Sequence, residues 1–398
     1  MRILMLGPWC IRKPLHGGQI RASHIVEAYR AAGHEVLFVG LYHPTQTPRD
    51  EYSETDLPIT TPVLEHAARI PRTPDVRLWY ALADEPTSFA QYCDRIAGFS
   101  PDVIQFEEPV FWPLVRRLVD TGILERGNGR IRVLHSSYNI EHTWRRASRE
   151  GATSQDEAFS AELEALEQDI ARRADALCVV SNSDAAAFQA MGAEAVVVAP
   201  NGSAIMTPTP KALRTVSQYL NHQPFALFVS SAHPPNASGL MHMIRGAPGV
   251  RLRNGIVVIG GDVARLLQPS SVEPQLQHLF RDIRLLGRIP TDDLLAAFYA
   301  QAHVAIVPRT IGGGSNLKTA EALLSSRPIV AASRAFVGFE EYADAPGVHI
   351  ADDPVAFWRS IDELLGKPLA APITRRGVKA LAWKHTLEPM VEAVESLA

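Results

Sequence analysis

Apolar runs too short to be helices alternate along this chain with amphipathic stretches of helical length, and the alternation starts twice. In the first series RILMLG (2–7), EVLFVG (35–40), DVIQFE (102–107), RVLHSS (132–137), ALCVVS (176–181) and AVVVAP (195–200) read as buried strands. A helix is expected from Gln19 to Ala32, stopped by Gly33, and another over the charged segment Ser154 to Arg173. Residues 201–223 hold Pro208 and Pro210 and no long apolar run, so they read as a linker region. A second series follows: FALFVS (225–230), GIVVIGG (255–261), DIRLLGR (282–288), VAIVPR (304–309) and PIVAAS (328–333).

Strands that alternate with helices form a parallel sheet covered on both faces. A restart after a linker implies two such sheets, for which 398 residues are ample. The expected architecture is α/β, with two Rossmann-like doubly wound domains facing a cleft. Their expected bounds are 1–205 and 206–370, with 371–398 a C-terminal helix that packs back on the first domain.

Charge and cysteine usage narrow the function classes. Lys plus Arg is 39 and Asp plus Glu is 43, a formal net charge of −4, which gives no general attraction for nucleic acid. Cys10, Cys93 and Cys178 are widely spaced and odd in number, which fits a reducing compartment better than a disulfide framework. No apolar run approaches the roughly 18 residues that span a bilayer. The run Ile3 to Leu6 is too short for a signal peptide core. The expectation is a cytoplasmic protein.

The sharpest chemical feature is GGGSNLKTAEALLSSRPIVAAS (312–333), directly after the strand VAIVPR. Gly312, Gly313 and Gly314 let the backbone approach a ligand closely, and the helix from about Leu317 turns its positive dipole end to the same place. Lys318 adds a full charge there, and Glu321 shares its helix face. Amides and a lysine suit phosphates, and a carboxylate suits ribose hydroxyls, so the set fits a nucleotide diphosphate. A surface ion pair on a flexible loop is the plainer reading of the same residues. The GK[ST] ending of a Walker A loop is missing.

The stretch 285–333 closely resembles the C-terminal signature of retaining GT-B glycosyltransferases of the group 1 or family 4 type. SSAHPPNASGL (230–240), HGGQIR (16–21), SYNIEHTWRR (137–146) and the tail around Trp383 resemble further family segments. The resemblance implies transfer of a sugar from a nucleotide-diphosphate donor to a hydroxyl acceptor, with retention and without a metal. The acceptor class it implies is a glycan or a lipid-linked glycan, the latter at the inner face of the membrane. It implies no cofactor beyond the donor co-substrate and no nucleic-acid partner. Donor contacts are expected from Gly17, Gly18, Ser231, Asn236, Arg288, Gly312, Gly313, Gly314, Ser315, Asn316, Leu317, Lys318 and Glu321. Acceptor-side contacts are expected from His135, Tyr138, Asn139, Glu141 and His142, with Lys318, His135 and Arg288 as catalytic candidates.

The chain departs from the family pattern at three places. Gly313 stands where many members carry a second glutamate, eight residues before Glu321. Tyr138 stands where the acceptor-side segment has a histidine, and Ser231 to Asn236 supplies no positive charge. No Asp-x-Asp, HExxH or Cys/His cluster occurs, so no metal site is expected. A nucleotide-sugar epimerase on the same fold and a non-catalytic, degenerate transferase remain as alternatives.

Overall fold

The computed structural model describes residues 1–126, 129–147, 153–204, 207–232, 234–267 and 281–397. The chain divides into unit 1, Met1–Pro200 with Thr386–Ala398, and unit 2, Asn201–His385. The boundary expected at 205/206 lies outside the described residues.

Unit 1 is built on strands β1 (Arg2–Leu6), β2 (Glu35–Val39), β3 (Val103–Glu107), β4 (Arg132–Ser136), β5 (Ala176–Val179) and β6 (Val196–Val198). All are parallel, in the order β6-β5-β4-β3-β1-β2. Successive residues face opposite sides, so Leu4, Leu6, Ile104, Phe106, Val133 and Leu177 pack into one apolar layer with helix Ser154–Arg173. The opposite side meets helix α1 (Gly17–Ala31), whose Ala22, Ile25, Val26 and Tyr29 are buried. Gln19 starts α1 by reaching back: its side-chain oxygen accepts from the N–H groups of Leu15 at 2.8 Å and His16 at 3.3 Å.

Unit 2 repeats the plan with β7 (Phe225–Val229), β8 (Ile256–Gly260), β9 (Ile283–Gly287), β10 (Val304–Val307), β11 (Ile329–Ala331) and β12 (Val348–Ile350), in the order β9-β8-β7-β10-β11-β12. Its pairings are also parallel. Alternation again splits the strands between two cores, Leu227, Val258, Ala305 and Val307 on one side and Phe228, Ile259, Ile306 and Val330 on the other. Strand β12 was not expected from the sequence. It is three residues long, on the sheet edge and mostly exposed, so it lacks the apolar run that marks the others.

Two expectations need correction. The linker region contains a helix, Pro210–Tyr219, capped by the Thr209 hydroxyl and anchored by buried Ala212 and Val216. The tail after 370 is not one helix: Trp383–Thr386 and Glu388–Glu395 are helical, whereas 371–375 are irregular. The reason is local, since Gly377 takes φ +74° and Arg375 is buried among the carbonyls of Leu323, Arg327 and Pro346. The last helix packs on β6 and α1 within unit 1. Among the described residues no helix is long and apolar enough to cross a membrane.

Candidate functional site

Open α/β sheets bind ligands beyond the carboxyl ends of their strands, where the chain first turns to either side. In unit 2 that point lies between β7 and β10, and the glycine-rich loop sits on it. Gly312 and Gly314 take φ +100° and +67°, values that favour glycine. Beneath them Arg309, almost fully buried, donates to the carbonyls of Ile311 at 3.2 Å, Gly314 at 3.2 Å and Gly313. Asn201 fixes the other end: its N–H donates to Ser315 Oγ and its side-chain amide to the Ser315 carbonyl, both at 2.9 Å. The loop is therefore held from inside by its carbonyls, with a buried guanidinium directly below it.

Helix α2 (Leu317–Leu324) starts from this loop, with the Asn316 side-chain oxygen accepting from the Lys318 N–H at 3.2 Å. Asn316 Nδ2 is buried without a hydrogen-bond partner among the described residues. Lys318 and Glu321 meet as the shared face required: Lys318 Nζ lies 2.9 and 3.1 Å from the two carboxylate oxygens. Tyr299 also donates to Glu321, at 2.9 Å, and burial beside that carboxylate pushes its hydroxyl well above the usual pKa. Tyr299 was missed because it lies on Asp292–Gln301, a helix whose sequence reads only as packing.

The remaining unit 2 candidates are spread along the same edge. Ser231 leaves β7 half-buried, and Asn236 lies in the first turn of Pro234–Arg245. Beside them Ser230 Oγ is buried with no partner among the described residues. Gly239 brings that helix against the exit of β10, since a Cβ there would stand 2.1 Å from the Pro308 carbonyl oxygen. Arg288 is exposed at the end of β9, whose backbone is three strand positions, roughly 14 Å, from the strand carrying the loop.

In unit 1 the turning point lies between β1 and β3. Gly17 opens α1 there, and the space a Cβ would take at Gly18 is filled by the Trp9 ring at 2.6 Å, so packing accounts for that glycine. At the end of β3, Glu107 is fully buried and accepts hydrogen bonds from Gln105 and Tyr138, both at 2.5 Å. Tyr29 extends this chain to Gln105 at 2.6 Å. Burial raises the Glu107 carboxyl pKa, and those bonds together with buried Arg21 partly oppose the shift. Glu108 follows with φ +73°, a strained value for this residue, and burial raises its carboxyl well above the usual range. Neither glutamate was singled out from sequence, although two carboxylates at a strand end were the available signal.

Of the acceptor-side candidates, Tyr138 reaches Glu107, and Asn139 donates to Glu141 at 3.1 Å. Glu167, from Ser154–Arg173, accepts from the Glu141 and His142 N–H groups at 2.6 and 3.3 Å and contacts His142 Nδ1 at 2.5 Å. Glu167 thus caps the start of the helix Glu141–Ala147. Burial pushes the Glu141 carboxyl up to about 7. His135 is a correction. It has no exposed surface, stacks on Phe106 at 4.6 Å and meets Phe188 edge-on, and burial holds its pKa down to about 3. It is a neutral member of the apolar layer, placed there by strand alternation, and has no access to a substrate. Among the described residues no three His, Cys, Asp or Glu side chains converge as metal ligands.

Two family models match the chain, a glycosyl transferase 4-like domain over residues 16–202 and glycosyl transferases group 1 over 223–367. Sucrose-phosphate synthase from Thermosynechococcus elongatus superposes with a TM-score of 0.69 at 17% identity, covering all of this chain and 95% of its own. HepE from Anabaena, in complex with UDP, gives 0.64 at 14% identity with both chains fully covered. A trehalose-6-phosphate protein from E. coli bound with UDP-2-fluoro glucose gives 0.63 at 15%, covering all of this chain and 99% of its own. At these identities the likeness is one of fold. A search of curated protein sequences returned no match.

Proposed function

Because the chain belongs to the group 1 glycosyltransferases, we propose that unit 2 holds a nucleoside-diphosphate sugar and that unit 1 binds the hydroxyl acceptor. The observation that carries the reading is the stapled glycine loop at the start of α2, with Lys318 on its first turn and Glu321 beside it one turn on. A diphosphate set on this loop meets the positive end of the helix dipole, the Lys318 ammonium and the buried Arg309 charge. Fixed positive groups stabilise the charge that grows on the leaving phosphate without reorganising as it forms. The bound UDP of the structurally similar Anabaena protein supports a nucleoside diphosphate as donor.

In this reading Glu321 exchanges its partner. In the unliganded protein it neutralises Lys318; with donor bound, Lys318 turns to phosphate and the carboxylate accepts from the ribose hydroxyls. Tyr299 keeps Glu321 in place through that exchange. The acceptor oxygen then bonds to the anomeric carbon on the face the leaving group departs from. The bond from carbon to phosphate oxygen breaks, and the hydroxyl proton passes to that oxygen. The configuration is retained and no protein nucleophile or divalent ion takes part.

Incubation of the protein with a panel of UDP-, GDP- and ADP-sugars and glycan acceptors tests this. The expected result is acceptor-dependent release of nucleoside diphosphate, α-linked product from an α-linked donor, and turnover that survives EDTA. Inversion at the anomeric carbon, loss of turnover on chelation with rescue by Mg²⁺ or Mn²⁺, or epimerised donor without acceptor would overturn it.

A further inference from the structure

The chain passes from unit 1 to unit 2 between Pro200 and Asn201, and hydrogen bonds hold the residues on both sides of that bond. The Ala199 N–H donates to the Val179 carbonyl at 2.8 Å, which continues the pairing of β6 with β5. The carbonyls of Ala199 and Pro200 accept from the Arg21 guanidinium at 2.7 and 3.3 Å. The ring of Pro200 fixes its own φ and restricts the residue before it. Asn201 then grips Ser315 twice, through its N–H and its side-chain amide, both at 2.9 Å. Two residues on, the Ser203 N–H donates to the Leu381 carbonyl at 2.9 Å. Ala199, Asn201 and Ser203 are all buried.

Arg21 anchors the unit 1 end of this run. It lies in the second turn of α1 at 1% exposure, out of reach of any ligand. Burial opposes its charge, and the Glu107 carboxylate is among the groups that support it. A guanidinium donates in a fixed fork, so Arg21 sets where Asn201 begins. Ser315 anchors the unit 2 end. It stands immediately before Asn316, the cap of α2, and follows the glycines whose carbonyls Arg309 pins from below. A shift of Ser315 therefore shifts the start of α2 and Lys318 on its first turn. Pro200 and Asn201 are adjacent, so no residue lies between the two grips to absorb a displacement.

We infer that Arg21 and Asn201 are positioning residues for the donor site: the Arg21 fork, acting through Pro200 and Asn201, sets the glycine loop on which the nucleoside diphosphate binds. A change at Arg21, which no ligand touches, then alters nucleotide affinity in unit 2. This rests on the donor reading above and adds which residues outside the loop hold it in register.

A double-mutant cycle tests the inference, read by calorimetry with UDP, GDP and ADP on the full chain. The variants are Arg21→Lys, which keeps the charge and loses the fork, Asn201→Ala, and the two combined. Each single change should weaken the preferred nucleotide on the order of tenfold, and the double change by little more, because both cut one linkage. Pro200→Gly leaves both grips intact and adds slack between them, so it should weaken binding roughly two- to fivefold whether or not the Arg21 variant folds. Thr209→Ala removes the cap of helix Pro210–Tyr219 and is the control for lost stability, expected to melt earlier with unchanged nucleotide affinity. Unchanged affinity in both Arg21→Lys and Pro200→Gly, losses that simply add in the double variant, or an equal loss in Thr209→Ala overturns the inference. Failure of the wild-type chain to bind any of the three nucleotides overturns the donor reading itself, and the inference falls with it.

Discussion

The two units share one winding plan, yet the places where their sheets turn to either side carry opposite chemistry. In unit 2 the exit of β10 is glycine backbone over a buried arginine, with a lysine on the first turn of the next helix. In unit 1 the exit of β3 is two glutamates whose carboxyls burial pushes up, with Glu141 and Glu167 close by. The first offers fixed positive groups, and the second offers carboxyls that burial biases towards the protonated form. Equal topology thus carries different chemistry through side chains at strand ends.

Removing the charge that defines unit 2 gives the largest expected effect. Lys318→Ala should lower kcat on the order of 10²-fold with little change in donor KM, the scale for one preorganised charge stabiliser. Steady-state kinetics decides it, and near-wild-type turnover would leave only a structural ion pair. Arg309→Met leaves three loop carbonyls without their donor. The donor KM should then rise about tenfold and the melting temperature fall by about 5 °C. A change in kcat alone would show that the staple does not shape the donor site. Glu321→Gln should raise donor KM by roughly tenfold while sparing kcat, because a ribose contact is made equally in ground and transition states.

The unit 1 side of the comparison is sharpened by pH. The Glu141 carboxyl moves from 4.5 up to about 7 on folding. Its folded form therefore binds the proton more tightly than the unfolded chain does. The stability this contributes is full below pH 4.5 and is lost as the pH rises through about 7. Glu141→Gln should remove that loss, so its melting temperature relative to wild type should climb between pH 5 and pH 7.5, by the equivalent of at most about 3 kcal/mol. A difference that stays flat with pH would place Glu141 in water. The smallest effect belongs to His135→Phe. An aromatic of similar volume in an apolar layer should leave kcat/KM within about threefold. A loss of orders of magnitude would return His135 to the active site.

Sequence alone determined much of this protein. Eleven of the twelve strands in the two six-stranded sheets are local apolar runs, and they appear where the runs are. The interruption at 201–223 marks where the second series begins, and the order glycine loop, Asn316, Lys318, Glu321 is a contiguous string whose helical spacing fixes the Lys–Glu contact. Only the tertiary structure decided the rest, because it depends on partners far apart in the chain. His135 looks like a strand-end ligand until alternation turns it onto Phe106 and Phe188. Gly18 looks like a phosphate glycine until Trp9 occupies its missing side chain. Glu167 reads as one charge on an amphipathic helix until it meets the Glu141 and His142 N–H groups, more than twenty residues away. Periodicity reports which face a residue takes, and packing alone reports what stands opposite that face.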